Sequence, residues 1–95
     1  MFIAIEATGQ DFNDFLVKKG FYVVDGTDIK KMYDEVNRYT TQEIFNLQRT
    51  GPIKIAVLGI DQKTAVSMLG YRADVIWGDP CNVEVLSSWL SWLEE

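Results

Sequence analysis

The sequence contains no histidine and a single cysteine, Cys81, and these two shortages exclude several kinds of chemistry. Without histidine the chain lacks the commonest general base and the commonest side-chain ligand of transition metals. A lone cysteine cannot form a disulfide within the chain, which is typical of proteins in a reducing compartment. Catalysis by a cysteine–histidine pair is therefore excluded, and we expect a cytoplasmic protein.

Long apolar runs and positive charge are also scarce. No apolar run approaches the ~20 residues of a membrane-spanning helix, and the opening MFIAIEATGQ lacks the basic region of a signal peptide. With 14 acidic and 9 basic residues, the formal net charge is −5. An acidic chain repels phosphate backbones, so we expect neither membrane association nor direct nucleic-acid binding, whereas a basic protein partner would be attracted.

The composition is otherwise that of an ordinary globular protein. The chain has 95 residues, of which 47% are hydrophobic and 13% aromatic. This length and apolar content predict one domain over residues 1–95 with a single layered core.

Short apolar runs alternate along the chain with segments of helical spacing. The runs at residues 2–5, 21–24, 53–60 and 74–77 are rich in β-branched and aromatic residues, as strands are. Helical spacing covers residues 11–19, begins again near 28, returns at 61–70, and runs from about 82 to the end. A capping-box pattern at residues 40–43 predicts a break in the second helical segment and a new helix after it.

This alternation predicts an α/β fold with three layers. We expect a four-stranded, mostly parallel sheet in the order 2-1-3-4, with helices on both faces. The run at 53–60 is the most continuously apolar, so we place it centrally. A mixed sheet with one antiparallel edge strand is the alternative.

Each predicted strand is followed by a carboxylate and a glycine. The carboxylates are Glu6, Asp25, Asp61 and Asp79. The carboxyl ends of parallel strands meet at one edge of a sheet, where ligands bind, and carboxylate oxygens suit Mg²⁺. The competing interpretation is structural, because Asp28, Asp61 and Asp79 stand where helix N-cap residues belong.

Short fragments resemble catalytic motifs but lack essential residues. The stretch Asp25-Gly26-Thr27 resembles the Asp-Gly-Thr of haloacid-dehalogenase phosphatases, yet Val23 stands where that motif has its nucleophilic aspartate. Glu6 with Asp61 resembles the metal-binding pattern of Toprim domains, yet Gly59 replaces the first aspartate of its Asp-x-Asp pair. Neither resemblance extends beyond a few residues, so the sequence defines no family.

The last helical segment, residues 83–95, carries an unusually wide apolar arc. At 100° per residue, six side chains cover roughly 160° of the helix, in the order Trp92, Val85, Trp89, Leu93, Leu86, Leu90. A surface helix usually buries a stripe of roughly 100° or somewhat more. Either the helix lies in a groove that covers its flanks, or part of the arc stays exposed and contacts a partner.

These observations favour a non-enzymatic, acidic protein-binding or regulatory domain without a cofactor. It would act as an inhibitor of a partner protein or as a self-associating module, and its predicted contact residues are Trp89, Trp92, Leu90 and Val85. The alternative is a small Mg²⁺- or phosphate-dependent enzyme that uses Glu6, Asp25, Asp61 and Asp79.

Overall fold

The computed structural model describes residues 1–45, 54–69 and 75–94, and for residues 40–45 it describes the backbone alone. Strands and helices alternate as the sequence pattern predicts. In chain order they are β1 (Phe2–Ile5), α1 (Gln10–Lys18), β2 (Tyr22–Asp25), α2 (Ile29–Phe45), β3 (Ile55–Leu58), α3 (Gln62–Leu69), β4 (Val75–Gly78) and α4 (Val83–Glu94). The predicted element ends at Ile53, Gly70 and Asp74 lie outside the described residues.

The four strands form one sheet in which every pairing is parallel, so the predicted α/β class is confirmed and an antiparallel edge is absent from the described strands. The strand order is β2-β3-β1-β4. The predicted order 2-1-3-4 is therefore wrong in one respect, because β3 separates β1 from β2. Both orders put the continuously apolar strands β1 and β3 in the centre, so apolar patterning alone does not distinguish them.

Helices cover both faces of the sheet, as predicted. The crossover from β1 to β2 runs across the sheet in the direction opposite to the two later crossovers. Because crossovers between parallel strands are right-handed, α1 lies on one face of the sheet and α2 and α3 lie on the other. Two apolar clusters follow. One joins the sheet to α2 and α3 through Met32, Val36, Ala65 and Leu69; the other joins it to α1 and α4 through Leu16, Leu86 and Leu90.

The turn from α1 into β2 fixes where β2 begins. Gly20 has a positive φ of 90°, its N–H donates to Val17 O, and the Phe21 N–H donates to Leu16 O. These two bonds form a Schellman motif, which satisfies the last carbonyls of α1. Leu16 and Phe21 then pack in the same cluster, so the predicted glycine stop of this helix is confirmed.

Side-chain caps begin the three later helices. Asp28 Oδ1 accepts from the Lys31 N–H, Asp61 Oδ1 from the Thr64 N–H, and Asn82 Oδ1 from the Val85 N–H. Capping by Asp28 and Asp61 confirms the structural interpretation of those two residues. For α4 the cap is Asn82 rather than Asp79, three residues later than predicted.

The second helix is continuous where the sequence predicts a break. Helical backbone runs through residues 40–43 as part of α2. A capping box needs a first residue with non-helical backbone, whereas Met32, Val36 and Tyr39 pack at helical spacing in the core up to residue 39 and the helical backbone continues beyond it. The prediction of a helix break at residues 40–43 is therefore wrong.

Candidate functional site

The apolar arc of α4 is buried on one side only. Leu86 and Leu90 are buried at 0% and 3% exposure, whereas Val85 is 44% and Trp92 is 68% exposed. Trp89 lies between these two sets and is partly buried. One flank of the wide arc is therefore exposed rather than covered by a groove.

This exposure divides the four predicted contact residues. Val85, Trp89 and Trp92 follow one another at i, i+4 and i+7, so they form one row along the helix, which we call the α4 surface. Leu90 belongs instead to the core between α4 and the sheet. Its assignment as a contact residue is corrected, because a residue at 3% exposure cannot meet a partner unless the core opens.

The position of Trp89 depends on a glycine in the neighbouring strand. A Cβ placed on Gly78 of β4 would lie 2.7 Å from Trp89 Cη2 and 2.8 Å from Cζ2, both inside van der Waals contact. Only a residue without a side chain lets the indole lie flat against β4 at this point. The glycine thereby allows Trp89 to approach β4 this closely.

A shallow cleft of about 190 Å³ opens beside Trp89, at the carboxyl end of β4. Its walls are Val85 and Trp89, and its lining is completed by Gly78 at the end of β4 and by Asp79 and Pro80 in the turn that follows. The α4 surface therefore includes a recess with apolar walls and one carboxylate.

Formal charge is distributed unevenly along the chain. Residues 1–72 contain nine acidic and nine basic side chains, whereas residues 73–95 contain five acidic side chains and no lysine or arginine. The net charge of −5 thus belongs entirely to the segment that carries β4 and α4. Glu94 of this segment forms an ion pair with Lys54, the residue before β3, at 3.6 Å between Oε1 and Nζ.

The alternative metal site lies at the carboxyl ends of β1 and β3. These adjacent strands lead into helices on opposite faces, which opens a crevice between them. Glu6 and Asp61 line the same cleft there, about 280 Å³ in volume. Asp25 lines a different cleft and Asp79 lies beside α4, so the structure brings together only two of the four predicted carboxylates.

Two of these carboxylates already accept internal hydrogen bonds. Asp25 Oδ1 accepts from the hydroxyl of Thr27 at 2.7 Å and from its N–H at 2.9 Å, and these bonds lower the pKa of Asp25. Hydrogen bonds from the side chain and the N–H of Thr64 likewise lower the pKa of Asp61. Across residues 1–45, 54–69 and 75–94, no three acidic or cysteine side chains come close enough to share a metal ion.

A further cleft, about 410 Å³ in volume, lies at the carboxyl ends of β2 and β3 on the α1 side. Its polar lining comes from Thr8, Asn13, Asp25 and Thr27. The N terminus of α1 faces this region with Gly9 as its cap residue and no side-chain cap bond. The cleft is open and its lining mixes polar with apolar side chains, so nothing in it selects one ligand chemistry over another.

Sequence reasoning missed two members of the candidate surface. Ile76 of β4 is paired in register with Ile3, so it lies on the α4 face of the sheet, and it is 38% exposed. Pro80 forms part of the recess. The alternation of Ile76 and Gly78 on one strand face was the available signal, but it needed the strand register and the edge position of β4.

Comparison with known proteins gives no family. No protein-family model matches the chain, and no curated protein or solved structure is significantly similar to it. Among the helices of the described part of the chain, none has the length and apolar character needed to cross a membrane.

Proposed function

We propose that the chain is a non-enzymatic protein-binding domain that contacts its partner through the α4 surface. The observation that carries this proposal is the exposure of Trp92, 68%, in a continuous row with Val85 and Trp89. Tryptophan is enriched among the residues that dominate binding energy at interfaces. A regulator or inhibitor of another protein is the role that this surface suits best.

Isolated exposed apolar residues are common and need no partner, so the arrangement matters more than the number. Val17 of α1 and Val66 of α3 are also exposed, at 56% and 64%, but neither lies in a row with a tryptophan. The α4 surface combines exposed apolar side chains with a recess whose lining includes Asp79, and it belongs to a chain segment that has five acidic side chains and no lysine or arginine. That combination supports the proposal.

The reducing cytoplasm is the proposed setting. The only cysteine, Cys81, is free and exposed, and an exposed thiol persists where the compartment keeps it reduced.

Affinity capture from cells of the organism that encodes the chain tests the proposal. The baits are wild type and Trp92→Ala, compared by quantitative mass spectrometry. We expect a protein that wild type retains and Trp92→Ala loses. Sedimentation of both baits at equal concentration separates self-association from binding to another protein. A monomer whose retained proteins are indifferent to Trp92→Ala would overturn the proposal.

A magnesium-dependent enzyme is the second candidate, and one observation favours it. Glu6 and Asp61 line the same cleft in the crevice between β1 and β3, and Mg²⁺ is often held by one or two carboxylates with substrate phosphates. A metal that binds the folded chain raises its thermal stability by mass action. We would compare unfolding in millimolar Mg²⁺ for wild type and for Glu6→Gln with Asp61→Asn; equal midpoints with and without Mg²⁺ would remove this candidate.

A further inference from the structure

The recess beside Trp89 has the lining of a site for one cationic side chain. Its walls, Val85 and Trp89, are apolar and aromatic, and Asp79 stands at its edge. Lysine and arginine side chains bury their methylene stems on apolar surface while the charged head remains near water. An aromatic face beside the head adds a cation–π attraction.

Asp79 is available to such a ligand in a way that the aspartates at the other strand ends are not. Asp25, Asp28 and Asp61 each accept hydrogen bonds from the turn or helix that follows them. Asp79 has no hydrogen bond or ion pair within the described part of the chain, and Asn82 provides the cap of α4 in its place. Its carboxylate oxygens are thus free to accept from a bound group.

The charge of the surrounding segment favours the same class of ligand. Residues 73–95 carry five acidic side chains and no lysine or arginine, while the rest of the chain is balanced. Two α4 surfaces meeting across a twofold axis would bring the Asp79 carboxylates of both copies to one interface, which opposes a second copy as the occupant. A partner with positive charge around an apolar contact is attracted to it.

We propose that the recess formed by Val85, Trp89 and Asp79 receives an arginine or lysine side chain from a basic partner protein. The inference rests on the proposed function, because it names the chemistry of the partner for the same surface. The side-chain stem lies between Val85 and Trp89, and the charged head donates to the Asp79 carboxylate.

Two small probes of nearly identical shape test the recess directly. Acetyl-arginine methylamide carries the charge, and acetyl-citrulline methylamide does not. In an NMR titration at low ionic strength, we expect the arginine probe to shift the Trp89 indole N–H and the Gly78 and Val85 amide signals, with about fivefold higher affinity than the citrulline probe. Added salt should reduce this ratio.

Two variants assign the discrimination to Asp79. Asp79→Asn should remove the preference for the charged probe. Asp34 is exposed on α2, which packs on the other face of the sheet, so Asp34→Asn should leave the preference unchanged. Equal affinities for the two probes, a preference that survives Asp79→Asn, or no shift at these signals would each overturn the inference.

Capture with the same variants separates this inference from the proposed function. A partner lost with Trp92→Ala but retained fully by Asp79→Asn would leave the proposed function in place and overturn the cationic side chain as its ligand. A partner indifferent to Trp92→Ala would overturn the proposed function, and the probe titration would still decide the chemistry of the recess.

Discussion

The indole of Trp89 lies against Gly78 of β4 so closely that a Cβ on the glycine would be 2.7 Å from Trp89 Cη2. This contact fixes one ring of the α4 surface to the sheet, and Val85 and Trp92 extend from it along the outer side of the helix. Trp89 therefore contacts the sheet directly, while Val85 and Trp92 on the same row remain exposed.

Adding a methyl group at this contact should force the ring outward. We expect Gly78→Ala to lower the free energy of unfolding by about 1–3 kcal/mol, the usual cost of overpacking. Denaturant unfolding measures this cost. Repeating the substitution in a Trp89→Leu background removes the clashing ring atoms, so the cost there should be smaller; equal costs in both backgrounds would show that the two residues are not coupled.

The two sides of the arc should respond differently to truncation. Leu90→Ala removes a core side chain and should cost about 2–5 kcal/mol, whereas Trp92→Ala should cost less than about 1 kcal/mol, because the side chain is largely in water. Urea unfolding of both variants checks the split. A large loss of stability from Trp92→Ala would mean that this indole serves the fold rather than a contact.

The cap of α4 should be worth a measurable share of stability. Asn82→Ala leaves the Val85 N–H without its side-chain acceptor and should cost about 1 kcal/mol. For a domain of this size that lowers the unfolding midpoint by about 4–8 °C. Asn82→Asp keeps an acceptor and serves as the control; if it destabilises as much as alanine, the cap assignment fails.

Acid should weaken the turn after β2. Hydrogen bonds from Thr27 hold the pKa of Asp25 below its ordinary value of 3.8. The folded state therefore favours the carboxylate, so its contribution to the free energy of unfolding is complete above that value and is lost as the pH falls through the lower folded-state pKa. Thr27→Val removes the hydroxyl donor and should raise the Asp25 pKa in an NMR titration, while Thr27→Ser should keep it low. An unchanged value in Thr27→Val would contradict this account.

The sequence predicts the fold class because its strongest signals are local. Strand β1 is continuously apolar, Gly20 ends α1, and Asp28 and Asp61 cap the helices that follow them. These features depend on a few neighbouring residues, so patterning and capping rules identify them. The strand order depends on whether β1 or β3 pairs with β2. Because β1 and β3 are equally apolar, the sequence does not distinguish them, and in the structure β3 is the neighbour of β2.

The candidate site was only partly predictable for a related reason. The wide arc of α4 indicates that some apolar residues are in excess, but a helical wheel gives no information on which edge faces the sheet. In the structure Trp89 lies against Gly78, Leu90 is buried and Trp92 is exposed. That contact joins two elements, and it follows from the strand register rather than from either segment alone.

The central claim is that a partner binds the outer side of α4 rather than exposed apolar residues in general. The chain offers a matched pair for this test, because Val85 on α4 and Val66 on α3 are both exposed and lie on opposite faces of the sheet. The most direct measurement is quantitative capture of the partner by Val85→Ser and by Val66→Ser. We predict that Val85→Ser loses most of the captured partner and that Val66→Ser retains it; equal retention by the two variants would contradict the account.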